Sequence, residues 1–510
     1  MKRFGLLLLA LGMALSTNSA RADELRIGFT QDPLTLDPAN HSRRETETII
    51  RNLYDGLLTR DAAMNIHSEL VESYTQIDPT TWEFKIRSGV TFHDGSPLTA
   101  EDVKFTFDRL TQEGAMDGQT SPRKGLLGPV SEIQVVDPST VRFVLSAPWP
   151  ILPAMLPFQE VVSKSFVEAG GDGALATVAN GTGPFKLVEW RQGDSIIMER
   201  FDGYYGGAPG IEPAGAACVE RVIFRVIPEN ASRVAALLSG DVDIINELPV
   251  HDIPQIEAAG NADVMTVNGT RTFFASINNT TAPFDDVRVR QALNHALDKD
   301  LIIDRILGGT AEPLNGVMSP DAFSFNADLT VYEHDPDKAK QLLADAGYPD
   351  GIDLVIDVEG QFKEIAEAVA ATLASSGIRA TVSVGEVSVL NTQWDPKAPK
   401  ERDIYFTSWG NGSLDPYDIM NPTLMTEARG NRSGFSNAEV DRLLVAAETE
   451  PDRGARAGMY KQAQAIVNAE APWIFLWLPQ DIYGVSKRVS GWQPSPDSRI
   501  NLHDACVTEG

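Results

Sequence analysis

The chain has 510 residues, 43% of them hydrophobic, and 71 acidic against 43 basic side chains give it a formal charge of −28. That length suits about three domains of ~150 residues each, with room for a large core. Because the chain has no basic run or basic helix, such acidity excludes a phosphate-backbone partner, although a local pocket can still differ in sign from the whole.

Lys2 and Arg3, an apolar run over 4–15 and then Ala20-Arg21-Ala22 have the layout of a secretory signal peptide, 1–22, cut before Asp23. The run is too short for a bilayer, and no later stretch approaches the ~20 apolar residues of a transmembrane helix. The mature chain is therefore expected to be soluble. No Cys stands near the cleavage site to take a lipid, which favours free residence in a Gram-negative periplasm.

Residues 25–30 (LRIGFT) read as a strand, and Pro33 and Pro38 preclude regular pairing after it. A helix is expected over 45–58, with Ile49, Ile50, Leu53, Leu57 and Leu58 on its apolar side. The most specific stretch is 82–110, WEFKIRSGVTFHDGSPLTAEDVKFTFDRL. Trp82, Phe84 and Ile86 alternate with charged residues as in a half-buried strand, Val90 and Phe92 resume the alternation, and 99–102 (TAED) has the form of a capping box. Val103, Phe107 and Leu110 give the following helix its buried stripe. His93 and Asp94 read as a hydrogen-bonded turn rather than a catalytic or metal pair, because no second His or Cys stands nearby to complete a ligand set.

A further strand is expected at 140–145. Glycines 170, 171 and 173 punctuate the chain, as does Asn180-Gly-Thr-Gly-Pro184, which lacks the Gly-Lys-Ser/Thr ending of a phosphate loop and reads as a tight turn. Strands follow at 195–201 and 219–227, then a helix at 233–238 stopped by Gly240, then a short strand at 241–245. Beyond 268, a strand at 271–278 precedes two helices, one over 287–297 and one ending at Gly308-Gly309. Asp335 as cap, Pro336 in the first turn and Gly347 as stop place a helix over 337–346. Strand 352–358, helix 362–376, strand 378–384 and strand 404–409 argue for a sheet covered by helices on both sides. Ser436 with Glu439 is expected to cap another helix, and 473–478 reads as one buried apolar strand.

In this order and spacing, 82–110, LTLDPAN (34–40), NLYDGLL (52–58), NGTGPFKLVEW (180–190), PFDDVRVRQALNHALDK (283–299) and DPDKAKQLLADAGYP (335–349) carry a family likeness. They resemble the bacterial extracellular solute-binding proteins, family 5, of the dipeptide, oligopeptide and nickel class, the ligand-capturing subunits of ABC importers. The resemblance implies an α/β, two-lobed periplasmic-binding-protein fold (type II, cluster C) with an extra insertion domain and a hinged ligand cleft. Its divisions are 23–44, 178–267 and 481–510 for lobe I, 45–177 for the insertion, and 268–480 for lobe II. Cys218 and Cys506 then fall in one lobe, and in an oxidising compartment a disulfide between them is expected, with two unrelated thiols as the alternative. The implied partners are the permease and ATPase subunits of an importer. A monomer without cofactor or catalysis is expected.

The resemblance also locates the ligand. In peptide-binding members the segment matching 408–416 (SWGNGSLDP) supplies main-chain hydrogen bonds, and an Asp three residues after the Trp pairs with the peptide's free amine. Here that position is Gly412. An ammonium buried without its carboxylate costs several kcal/mol, so either Asp415 or another acid substitutes, or the ligand has no such amine. Dipeptide-binding relatives clamp the terminal carboxylate with an Arg in the loop after 352–358. This chain has the shorter EGQFK (359–363), where Gln361 lacks the charge and Lys363 replaces it imperfectly. The expected ligand contacts are Trp409 as a stacking platform, Gly410 and Asn411 through backbone or amide, Asp415 as an ionic partner, and Gln361. Core or turn roles stay open for Trp409 and Asp415.

The reading is capture of a peptide or peptide-like solute for import. Gln361 with Asn411 would also suit the hydroxyl and amide groups of a sugar, an opine or another non-peptide solute. Nickel or haem has little support, since the seven His are spread singly and two oxidised Cys cannot serve a soft metal. A secreted hydrolase would need a nucleophile elbow or a zinc helix, and neither Gly-x-Ser-x-Gly nor His-Glu-x-x-His is present. A chemoreceptor's periplasmic partner would share the fold.

Overall fold

Three principal sheets carry the chain. The computed structural model describes residues 24–211, 214–399 and 401–508; the expected signal peptide at 1–22 lies outside them. In the first sheet, Phe185–Arg191, Ser195–Arg200, Arg221–Val226, Glu24–Phe29, Ile244–Ile245, Trp477–Ser486 and Ala262–Asn268 lie side by side in that order. Its centre is parallel, with Glu24–Phe29 in register against Arg221–Val226. In the second, Ile378–Gly385, Ile352–Glu359 and Ile404–Gly410 run parallel, and Arg271–Ile277 and Trp473–Phe475 complete it in antiparallel pairs. The helices Val287–Ala296, Pro336–Asp345 and Lys363–Leu373 bury their apolar faces against this second sheet.

Two crossings between the sheets lie side by side. Only Gly269 and Thr270 separate Ala262–Asn268 in the first sheet from Arg271–Ile277 in the second. Leu476 alone separates Trp473–Phe475 from Trp477–Ser486, so the single strand expected at 473–478 is two strands, one in each sheet. The Gly269 amide donates to the Pro479 carbonyl at 3.1 Å, and a Cβ on Gly269 would stand 3.1 Å from that same oxygen. The crossing is thus packed backbone against backbone.

The insertion has its own antiparallel sheet of Val71–Asp78, Thr81–Ile86, Thr140–Leu145 and Val130–Asp137. Helix Ala100–Thr111 lies over it with Val103, Phe107 and Leu110 buried, and the Phe84 and Phe107 rings meet Phe143 edge-on at 5.0 and 4.9 Å. Asp102 caps this helix by accepting from the Thr99 amide at 2.9 Å and hydroxyl at 2.7 Å. Val90 and Phe92 are buried but form no strand. The Asp94-Gly95 turn folds the segment on itself instead, with the Phe92 amide donating to Ser96 and the Leu98 amide to Val90.

Two further elements differ from their sequence reading. The helix expected to reach 58 is Arg44–Leu53, because Tyr54 is extended and Gly56 bridges to Glu160 before Leu58–Arg60 begins a strand. Its Ile49, Ile50 and Leu53 enter the lobe I core with Leu25, Ile27 and Phe224, whereas the insertion's core gathers residues from Leu57 to Val161 together with Ala39. The helix placed at the start of the insertion therefore packs as part of lobe I. Asn437 rather than Ser436 caps Ala438–Thr449, accepting from the Glu439 and Val440 amides, while the Ser436 hydroxyl meets that of Thr426.

His93 occupies the turn expected of it, and there it joins the insertion to lobe I. Its Nε2 donates to the Gly183 carbonyl at 3.0 Å and its Nδ1 accepts from the Gly181 amide at 3.3 Å. Burial pushes the ring down to about 4, so it stays neutral. Gly181 and Gly183 permit this contact, since a Cβ would come within 2.1 Å of the Leu53 oxygen or 2.6 Å of the Leu53 carbonyl carbon. Cys218 and Cys506 are joined as a disulfide, with Cα atoms 5.2 Å apart.

Candidate ligand-binding site

A cavity of about 1170 Å³ lies where the lobes and the insertion meet, somewhat larger than the roughly 300–1,000 Å³ of a small-molecule site. Lobe II contributes Arg271, Trp409 and Gly410, lobe I contributes Arg44, and the insertion contributes Arg123 and Phe158. The pairing of Arg271–Ile277 with Ile404–Gly410 sets Arg271 opposite Gly410 and Thr272 opposite Trp409. Two neighbouring strands of lobe II therefore end together at the cleft.

Trp409 is half-buried here. Its Nε1 donates to the Asp418 carbonyl at 2.8 Å, and the Arg429 guanidinium sits 5.0 Å from its ring centroid. The ring is therefore fixed, and Arg429 already occupies a cation–π position against it. Gly410 and Gly412 also line the cavity. A Cβ on Gly412 would stand 3.2 Å from the Phe158 ring. The place an Asp side chain would take is thus filled by the insertion's phenylalanine.

The remaining expected residues lie elsewhere. Asn411 is buried outside the cavity, its backbone N–H donating to the Thr270 carbonyl at 2.8 Å beside the crossing. Asp415 is also buried away from the cavity, in a two-pronged ion pair with Arg456 at 2.6 and 2.7 Å. The charge the sequence offered for an ionic contact with ligand is thus taken up by the Arg456 guanidinium. Gln361 lines a smaller neighbouring space of about 360 Å³, which also touches Arg271, Ser408 and Trp409, and its Nε2 donates to Glu359 at 3.2 Å. Lys363 is exposed and pairs with Glu367 at 3.6 Å.

The structure brings forward residues that sequence reading passed over. Asp418, one turn beyond Asp415, lines the cavity beside Trp409. Its Oδ2 accepts from the Ser413 hydroxyl at 3.2 Å, and burial pushes its carboxyl up to about 6. Deeper in, Arg499 meets Glu47 at 2.6 Å and also pairs with Asp497, and Arg123 stands 3.8 Å from Glu47. Burial alone would raise Glu47, yet Arg499 and Arg123 together hold it below the usual carboxylate range. His41, beside Arg123, is pushed down to about 3 by burial first and Arg123 second. Two signals could have flagged the basic wall. Arg43-Arg44 opens a helix, where the macrodipole disfavours cations, and Arg271 heads an otherwise uncharged strand.

With this geometry in view, the comparisons with known proteins are consistent. A family model described as bacterial extracellular solute-binding proteins, family 5 Middle, matches residues 65–431. The glutathione-binding protein GsiB of Escherichia coli is 27% identical over 516 residues, covering 99% of this chain and 98% of that protein. GsiB of Pectobacterium atrosepticum is 28% identical over 487 residues, covering 93% and 92%. The periplasmic binding protein DppA from Helicobacter pylori, solved with the peptide STSA, superposes with a TM-score of 0.78 at 26% identity over 95% of this chain and 98% of that one. HbpA2 from Haemophilus parasuis shares the fold with a TM-score of 0.86 at 24% identity, covering 95% and 99%. The chain belongs to the bacterial extracellular solute-binding proteins of family 5.

Proposed function

We propose that the mature chain is a periplasmic monomer that captures a peptide or peptide-like solute of the glutathione class. It would hand this solute to the permease and ATPase subunits of an ABC importer. One observation carries the reading: the interlobe cavity sets the acid Asp418 and several arginines around the fixed ring of Trp409. A solute with one ammonium and one or more carboxylates finds partners for both signs there, with Asp418 taking the amine role that Gly412 leaves open. Binding and closure are the whole task, so no residue is assigned to catalysis. The non-peptide alternative leans on Gln361 acting with Asn411, and Asn411 is buried away from the cavity.

A thermal-shift panel on the chain from Asp23 tests this. Reduced glutathione, tripeptides and free dipeptides are expected to raise the midpoint, and oligosaccharides and opines to leave it in place. At a hundred times its dissociation constant a ligand adds about 2.7 kcal/mol, or a shift of a few degrees. Shifts with sugars or opines alone would overturn the peptide reading.

A further inference from the structure

We propose that Arg44 of lobe I and Arg271 of lobe II act as one carboxylate clamp spanning the interlobe cavity, selecting peptides that carry a free acid group. The proposal rests on the peptide reading above and names the chemistry it recognises. Gly410 marks the point where the two side chains converge. A Cβ there would lie 3.3 Å from Arg271 Nη2 and 3.7 Å from Arg44 Nη2, so these nitrogens are at most about 7 Å apart. A carboxylate making a charge-assisted bond of about 2.8 Å from each of its oxygens spans such a gap.

Among the described residues, neither guanidinium forms an ion pair with a carboxylate. Arg44 Nη1 donates to the Ser498 hydroxyl at 2.6 Å, and Arg271 Nη1 donates to the Ser408 hydroxyl at 3.3 Å. The Ser498 hydroxyl in turn donates to Asp481, which holds that acid one residue away from Arg44. Asp481, Glu359 and Glu45 add only a longer-range field at Arg271. Burial first and Arg44 second hold Arg271 below its ordinary value, as expected of two cations sharing one space. The arginines deeper in the cavity differ in this respect, since Arg123 and Arg499 both face Glu47.

A clamp with one arm in each lobe also fixes geometry. Arg271 begins the strand just after the Gly269-Thr270 crossing, and Arg44 begins the helix Arg44–Leu53 packed in the lobe I core. A carboxylate held by both arms would tie the lobes together, and a neutral ligand would leave two like charges facing each other. The glycine at 410 keeps the space between them open. The missing loop arginine after Ile352–Glu359 is thus compensated from a different strand.

Calorimetry with glutathione and its diethyl ester, on wild type, Arg44→Gln, Arg271→Gln and Lys363→Gln, tests the clamp, with circular dichroism confirming the fold. Wild type is expected to bind the ester about thirtyfold more weakly than the acid, and Arg271→Gln and Arg44→Gln to bind the acid about thirtyfold more weakly. In those two variants esterification should cost less than about twofold further, since the interaction is already gone. Lys363→Gln should match wild type. Arg271→Lys should recover part of the loss, because a point charge replaces the fork. Variants that bind the acid like wild type, or lose as much on esterification as wild type does, overturn the clamp while leaving peptide capture intact. If wild type binds no peptide acid, ester or amide at all, peptide capture fails and the clamp fails with it.

Discussion

Asp415 shows how a charge that looks free in sequence is consumed inside the fold. Both of its oxygens face the Arg456 guanidinium, and both residues are buried. Removing one partner of such a pair leaves an uncompensated charge out of water. Asp415→Asn is therefore expected to cost about 3–5 kcal/mol of stability, read as a lower urea midpoint, with ligand affinity of the folded protein unchanged. Lost affinity at an unaltered midpoint would return Asp415 to the ligand. Gly412 is the complementary case. The missing acid is legible in the chain, but its cause, the Phe158 ring 3.2 Å from where a Cβ would sit, is not. Asp418, in the first turn of the helix Tyr417–Leu424 that follows, lines the cavity instead.

At the scale of single elements, local chemistry reads well because its partners are close in sequence. The box at Thr99 and Asp102 caps Ala100–Thr111 as its spacing indicates, and Asp102 Oδ1 also accepts from the Lys164 amide at 2.9 Å. Asp102→Ala is accordingly expected to lose about 1–2 kcal/mol, measured by denaturant unfolding, near the upper end for a cap because a second amide is orphaned. Local periodicity fails to mark an element's end where a distant segment intervenes. Leu57 and Leu58 fit a helical period, but the backbone at Gly56 pairs with Glu160, which ends the helix at Leu53. The apolar run 473–478 looks continuous, yet its first half pairs with Arg271–Ile277 and its second with Ala311–Pro313. Hydrophobicity marks such a run as buried without saying against what.

Across the whole molecule, three acids stand where the insertion joins lobe I. Asp55 accepts from the Thr182 hydroxyl at 3.1 Å, Glu69 accepts from the Gly56 amide at 2.9 Å, and Glu160 is buried beside them. Burial pushes them up to about 6, 8 and 7, with Asp55 raising Glu69 further and Glu47 raising Glu160. A carboxyl raised in the folded state favours folding while both states are protonated. That contribution is full below the ordinary carboxylate range and is lost as pH climbs through the folded value. Stability is thus expected to fall between about pH 5 and pH 8, and Glu69→Gln to flatten that slope, as followed by urea midpoints in a pH series. A slope unchanged by the substitution would move the effect to other groups. The amino-acid sequence by itself determined the family, the strand and helix order, and the glycine and aspartate punctuation. These depend on periodicity and on partners a few residues apart. Only the tertiary structure decided that Asp415 belongs to Arg456, that Asn411 faces the crossing, and that Arg44 and Arg271 share one cavity wall. Each of those pairings joins segments far apart in the chain, the first two within lobe II and the last between the lobes, and tertiary packing alone brings them within reach of a hydrogen bond or a charge.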